Sequence, residues 1–214
     1  MTGLVRKATL LTAAGLLIAS VAMAGVPSPG NSTVPSCIKL VGSKVGVPDP
    51  HGTFSIIVRD LANNPLNGAS VVVDLSNCPD LRLCGDQLDA GATVNCPAKT
   101  TRKFTDVTGT VTFTVLGSSK AGVAANELQN AGRVFANGTL IKSPTVSAFD
   151  LDGGSGVGIN DLSVWLVDFG TPTNPPFGRS DFDCSGGVGI NDLSQWLQEF
   201  GFSTSIASCS INCN

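Results

Sequence analysis

The stretch Ile56–Leu75, IIVRDLANNPLNGASVVVDL, decides the fold. Two β-branched runs, IIV and VVV, stand on either side of Asn63-Asn64-Pro65 and Asn67-Gly68. Proline cannot donate to a strand ladder, and Asn-Gly accepts the positive φ of a tight turn. The stretch therefore reads as strand, turn, strand. The same signals continue outward on both sides. Thr53–Asp60, Ala69–Leu75, Thr101–Asp106, Thr110–Leu116, Gly132–Ile141 and Thr145–Phe149 are rich in Val, Ile, Thr and Phe, and several alternate apolar with polar residues. Asp106–Gly109 and Asn137-Gly138 supply further turns. Short strands at this spacing, uninterrupted by a helical period, predict a β-sandwich over 37–149.

Upstream, Arg6 and Lys7 precede an apolar run from Ala8 to Val21 and the small-x-small triplet Ala22-Met23-Ala24. This order predicts a signal peptide over 1–24, cleaved before Gly25. The run is shorter than the roughly 20 residues of a membrane span, so no span is expected in the mature chain. No cysteine follows the cleavage site, which argues against a lipid anchor. Residues 25–36, GVPSPGNSTVPS, read as a flexible leader.

Cleavage leaves eleven basic residues against sixteen acidic ones, a net charge of −5. The surplus is local: Asp150–Gly201 holds eight acids and one base, Arg179. A nucleic-acid binder needs a basic stripe, and this chain has none. Seven cysteines in an exported chain point to disulfides. Cys78 and Cys84 bracket a short loop and suit a local bridge, while Cys184 could reach Cys209 or Cys213. His51 is the only histidine and sits in a Pro-Asp-Pro-His-Gly loop. Neither a nucleophile-and-base pattern nor a phosphate-binding loop accompanies it, so the chain reads as non-catalytic.

The chemistry lies in an internal repeat. Phe149–Gly170, FDLDGGSGVGINDLSVWLVDFG, and Ser180–Gly201, SDFDCSGGVGINDLSQWLQEFG, are offset by 31 residues. The second half of each predicts a helix. Ile159, Leu162, Trp165, Leu166 and Phe169 form one stripe, and Ile190, Leu193, Trp196, Leu197 and Phe200 the other. Two such helices can hide their stripes against each other with the tryptophans in the seam. Gly170 and Gly201 fall where a left-handed C′ residue belongs.

The first half of each copy is an Asp/Gly loop. A twelve-residue calcium loop takes oxygens from positions 1, 3, 5, 7 (a carbonyl), 9 (often through water) and 12. In the second copy these are Asp181, Asp183, Ser185, Gly187 and Asp192, with Gly189 leaving room for water at position 9. In the first copy they are Asp150, Asp152, Gly154, Gly156 and Asp161. Gly154 has no side-chain oxygen and Ser155 replaces the position-6 glycine. Calcium is therefore expected at two sites, the second stronger than the first.

Two resemblances follow. IIVRDLANNPLNGASVVVDL with the later TDVTGTVTFTV resembles bacterial immunoglobulin-like domains of the surface-protein type. The duplicated loop plus exiting helix, with Asp at position 12 followed by Leu, is similar to the dockerin family over about 150–202, with a Cys-containing tail at 203–214. Together they imply a mainly β protein with a small α part: an immunoglobulin-like β-sandwich followed by a two-helix dockerin-like module. Dockerins attach secreted proteins to cohesin domains on a scaffold, such as those of polysaccharide degradation, or on a cell surface. The resemblance places partner contact at loop positions 10 and 11, here Ile159, Asn160, Ile190 and Asn191. Helical spacing equally allows both isoleucines in the core stripe. The expected function is calcium-dependent protein attachment outside the cell. The alternative is a surface or matrix component that calcium only stiffens.

Overall fold

The computed structural model describes residues 25–120, 132–154, 156–170, 172, 179–201 and 212–213. The signal peptide expected at 1–24 and Ser155 lie outside the described residues. Those described form a mainly β protein with two helices. The strands are β1 (Cys37–Leu40), β2 (Ser43–Lys44), β3 (Val47–Pro48), β4 (Thr53–Ile57), β5 (Ser70–Asp74), β6 (Leu81–Cys84) and β7 (Thr93–Asn95). They continue with β8 (Thr100–Phe104), β9 (Thr110–Thr114), β10 (Gly117–Ser119), β11 (Arg133–Ala136), β12 (Thr139–Lys142), β13 (Thr145–Ala148) and β14 (Asn212–Cys213). The helices are α1 (Ile159–Asp168) and α2 (Ile190–Glu199).

The largest sheet is antiparallel throughout, in the order β12-β11-β5-β8-β7. Separate pairings join β4 to β9 and set β6 between β10 and β14. β1 and β13 pair in parallel, Ile38 opposite Val146. Alternation explains the sheets: Val71 and Val73 of β5 point into the core, and Val72 between them points outward. These side chains, with Ile38, Leu40, Ile56, Val58, Leu83 and Phe113, make one hydrophobic cluster shared by the sheets.

Two expectations need correction. Gly132–Ile141 is not one strand: the chain reverses at Asn137 (φ 45°) and Gly138 (φ 81°), so β11 and β12 form a hairpin. Successive positive φ values match the right-handed twist of the flanking strands. Residues 25–36 are not a loose leader but lie along β4 and its extension. Thr33 bridges Ile57, the Ser28 amide donates to the Arg59 carbonyl at 2.8 Å, and Val34 is buried in the core. The turn at Asp106–Gly109 forms as read. The Asp106 carboxylate accepts the amides of Thr108 and Thr110, and Gly109 has φ 75°. A Cβ at Gly109 would meet the Val58 carbonyl oxygen at 2.6 Å, so the turn also needs glycine for space.

A second cluster joins the β body to the repeats. Val41, Cys84 and Leu116 from the body pack with Phe149, Leu151, Val157, Trp165, Phe182, Val188 and Trp196. Both tryptophans are thus core, as their spacing suggests. The rest of each helical stripe is not. Leu162 and Leu193 are half-buried, whereas Ile159, Leu166, Phe169, Ile190, Leu197 and Phe200 are exposed. Each ten-residue helix buries one narrow line of side chains, because the loops rather than a second helical layer complete the cluster.

The cysteines also differ from expectation. Cys37 pairs with Cys184 and Cys96 with Cys213, tying the C-terminal segment to the body. Cys78 is a free, buried thiol, so it does not bridge to Cys84, which is disulfide-bonded elsewhere. Burial pushes the Cys78 thiol above its ordinary range and leaves it unreactive. Disulfides of this kind belong to oxidising compartments. No described helix is long and apolar enough to cross a membrane.

Candidate metal centres

Each repeat loop folds around its own position-12 aspartate. In the first, Asp161 Oδ1 accepts the amides of Leu151 (2.7 Å) and Asp152 (2.9 Å), and Oδ2 accepts that of Gly158 (2.6 Å). In the second, Asp192 Oδ1 accepts the Asp183 amide (2.9 Å) and Oδ2 that of Gly189 (2.8 Å). Both aspartates are the third residue of their helix, where an acidic side chain also favours the helix N-terminus. Positions 1 and 3 repeat the correspondence. The Gly154 amide donates to Asp150 and Asp152, and the Ser185 amide to Asp181 and Asp183.

These bonds draw the three carboxylates of each loop together. Ligand oxygens of Asp150, Asp152 and Asp161 lie within 4.8 Å of one another, as do those of Asp181, Asp183 and Asp192. Four of the six are buried: Asp150, Asp161, Asp181 and Asp192. At such separations each like-charged pair repels by about 4 kcal/mol at the effective permittivity near a protein surface. A divalent cation at the centre would turn that repulsion into attraction, and either cluster could hold a metal ion.

Burial pushes the Asp161 and Asp181 carboxyls above the ordinary carboxylate range. For Asp183 burial also pushes upward, but hydrogen bonds from Ser185 outweigh it and hold the group below that range. In the cation-free chain, a raised carboxyl adds stability at acid pH that is lost as pH rises through its elevated range. Any loop carboxylate that ionises needs a counter-ion, and the acidic segment holds one base of its own, Arg179. Lys39 supplies part of one: its ammonium donates to Gln195 Oε1 at 2.6 Å and feels the charges of Asp183 and Asp192.

The remaining sites read from the sequence fall around these centres. Gly186 at position 6 has φ 93°, the sharp turn expected there, and Gly156 has φ 116°. Ser185 Oγ donates to the Gly187 carbonyl at 3.4 Å, so positions 5 and 7 of the second loop adjoin. Gly154 contributes only backbone, and a Cβ there would stand 2.6 Å from Asp152 Oδ1. Position 4 is left-handed in both copies, Gly153 at φ 65° and Cys184 at φ 57°. The spacing of the aspartates does not reveal this turn.

The copies are also cross-linked. The Gly170 amide after α1 donates to the Val188 carbonyl of the second loop at 2.9 Å. The Gly201 amide after α2 donates to the Val157 carbonyl of the first at 3.0 Å. Both glycines are left-handed, at φ 79° and 83°, as a C′ residue should be. The exchange is reciprocal between the two copies. Ile159 and Asn160 stand at one helix start and Ile190 and Asn191 at the other, all four exposed.

One grouping has no counterpart in the sequence reading. His51, a loop histidine without a role in the sequence, lies between two buried carboxylates, Asp49 and Glu199, 148 residues beyond it in the second case. Sequence separation hides it.

Comparison with protein-family models and with curated proteins gives no match for this chain.

Proposed function

We propose that this is a secreted, non-catalytic protein whose C-terminal repeats are a dockerin-like module that binds two calcium ions and attaches the chain to a protein partner. The β body is then an immunoglobulin-like sandwich that carries the module. The observation that carries this reading is the matching hydrogen-bond pattern of the two loops, which converges three carboxylates at positions 1, 3 and 12 in each copy. An all-oxygen shell completed by carbonyls and water suits calcium.

Calorimetric titration of calcium into EDTA-treated protein tests it. Two binding events are expected, with affinities near the roughly 10⁻⁴–10⁻³ M of extracellular modules. Asp192→Ala should remove the tighter and Asp161→Ala the weaker, since Ser185 adds a side-chain oxygen that Gly154 lacks. Absence of any heat up to several millimolar calcium would reject the calcium reading.

Partner attachment is read from exposure. Ile159 and Ile190 are 65% and 69% exposed, so they are not core residues. Each stands beside an exposed asparagine at the helix start of its copy, which would offer a partner two equivalent docking orientations. Bait protein bearing Ile159→Asp and Ile190→Asp should keep its calcium titration and its melting temperature. It should lose an EDTA-sensitive partner that the unaltered chain retains in a pull-down with immobilised cohesin domains.

A second reading has its own support. The Cys37–Cys184 disulfide and a shared hydrophobic cluster bind the module to the body, an arrangement suited to calcium acting purely as a stiffener of a surface or matrix component. Failure of the unaltered chain to retain any calcium-dependent partner would favour it.

A further inference from the structure

We propose that Asp49, His51 and Glu199 form a third metal site, distinct in chemistry from the two loops and selective for a nitrogen-accepting divalent ion such as Zn²⁺. His51 Nδ1 lies 3.1 Å from Asp49 Oδ1 and 2.6 Å from Glu199 Oε1. The three ligand atoms all fall within 4.8 Å of one another. Asp49 is held from behind, because its Oδ1 also accepts the His51 amide at 3.0 Å across the 3-10 turn Pro50–Gly52.

Glu199 points independently to a ligand. It is 1% exposed, its Oε1 meets His51 Nδ1 at 2.6 Å, and its Oε2 has no hydrogen-bond partner among the described residues. A buried carboxylate left in this condition is costly. Protonated His51 would not cure it. One imidazolium against two buried carboxylates leaves a net negative charge, and Nδ1 carries a single proton for two acceptors. A divalent ion bound by Nδ1 and one oxygen from each carboxylate balances the charge and uses all three groups.

Ligand type sets the selectivity. Calcium takes oxygen shells, whereas an imidazole nitrogen with carboxylates suits zinc at about 2.0–2.2 Å bond lengths. The His51 side chain is 49% exposed, which gives an ion access and leaves a coordination position for water. Glu199 is the last residue of α2, where the helix dipole favours a cation. The ion would clamp the end of α2 to the loop that opens β4, and so fix the repeats on the body. This inference does not depend on calcium or on a docking partner.

The test uses untagged full chain, stripped with EDTA and then saturated with calcium so that the loops are filled. Zinc chloride is titrated by calorimetry while the imidazole carbon–proton signals are followed by NMR. His51 is the only histidine in 214 residues, so its signals report this site alone. One zinc equivalent should bind and shift those signals. Outer-shell losses around a metal already cost about 10–100-fold in affinity, so Glu199→Gln and His51→Ala should each weaken zinc at least that much. A cooperative unfolding transition followed by tryptophan fluorescence verifies that they fold; His51→Ala, at a half-exposed position, serves should Glu199→Gln misfold. The proposal is overturned if zinc at tens of micromolar leaves the His51 signals in place, or if both variants bind it like the parent. The first outcome would mean that His51 and the carboxylates form an ion pair only, and the second that zinc enters the loops.

Discussion

Replacing Arg179 with Ala is expected to cost about 3–5 kcal/mol of stability, the range for removing one partner of a buried ion pair. Arg179 is the one base within the acidic segment, and its guanidinium reaches the β body. Its Nε donates to Asp80 Oδ2 at 2.8 Å and its Nη2 to Oδ1 at 2.9 Å, a bidentate pair. Its Nη1 donates to the Val146 carbonyl of β13. Both side chains are almost wholly inaccessible. Removing the guanidinium strands the Asp80 carboxylate in a place where water cannot solvate it. Truncating both partners at once, Arg179→Ala with Asp80→Ala, should recover part of the loss because no charge is then left behind. Urea unfolding followed by tryptophan fluorescence measures it, since Trp165 and Trp196 both sit in the second cluster. A loss under 1 kcal/mol would show that solvent reaches Asp80.

Replacing Cys37 and Cys184 by Ala together should cost about 4–5 kcal/mol, as the chain-entropy view assigns to closing loops of a hundred residues or more. The bridge spans 147 residues and the Cys96–Cys213 bridge spans 117. Either one removes a large volume of conformations from the unfolded chain. The native state should survive the loss, because the Arg179–Asp80 pair and the second cluster still hold the repeats in place. Denaturant midpoints of parent and variant under oxidising conditions provide the comparison. A difference within 1 kcal/mol would mean that the remaining cross-links already restrict the unfolded chain as strongly.

Both results turn on contacts between distant segments, which marks the boundary of what could be read in advance. Strand existence was legible at Thr53–Asp60, Ala69–Leu75 and Thr110–Leu116, because alternation and β-branching report a half-buried pleat directly. β1, β6 and β7 are among the strands that the pattern does not reveal, along with β2, β3, β10 and β14. CIKL, LRLC and TVN are too short to show a period, and pairing across the fold makes them strands. The helices were legible in extent but not in face. Periodicity marks which residues share a side and says nothing about how wide a strip the neighbours cover. Ile159 and Ile190 therefore fitted core and surface equally well until burial separated them.

Local spacing by itself determined the loops: aspartates at positions 1, 3 and 12 converge because the turn between them is short and each backbone amide is within reach of a carboxylate. It likewise determined the Asp106–Gly109 turn and the left-handed glycines after each helix, all set by groups a few residues apart. Only the tertiary structure decided the disulfide pairing, the Asp80 partner of Arg179 and the meeting of His51 with Glu199. Those depend on which distant surfaces the two hydrophobic clusters press together. Burial is a property of the assembled chain, and no window of neighbouring residues contains it.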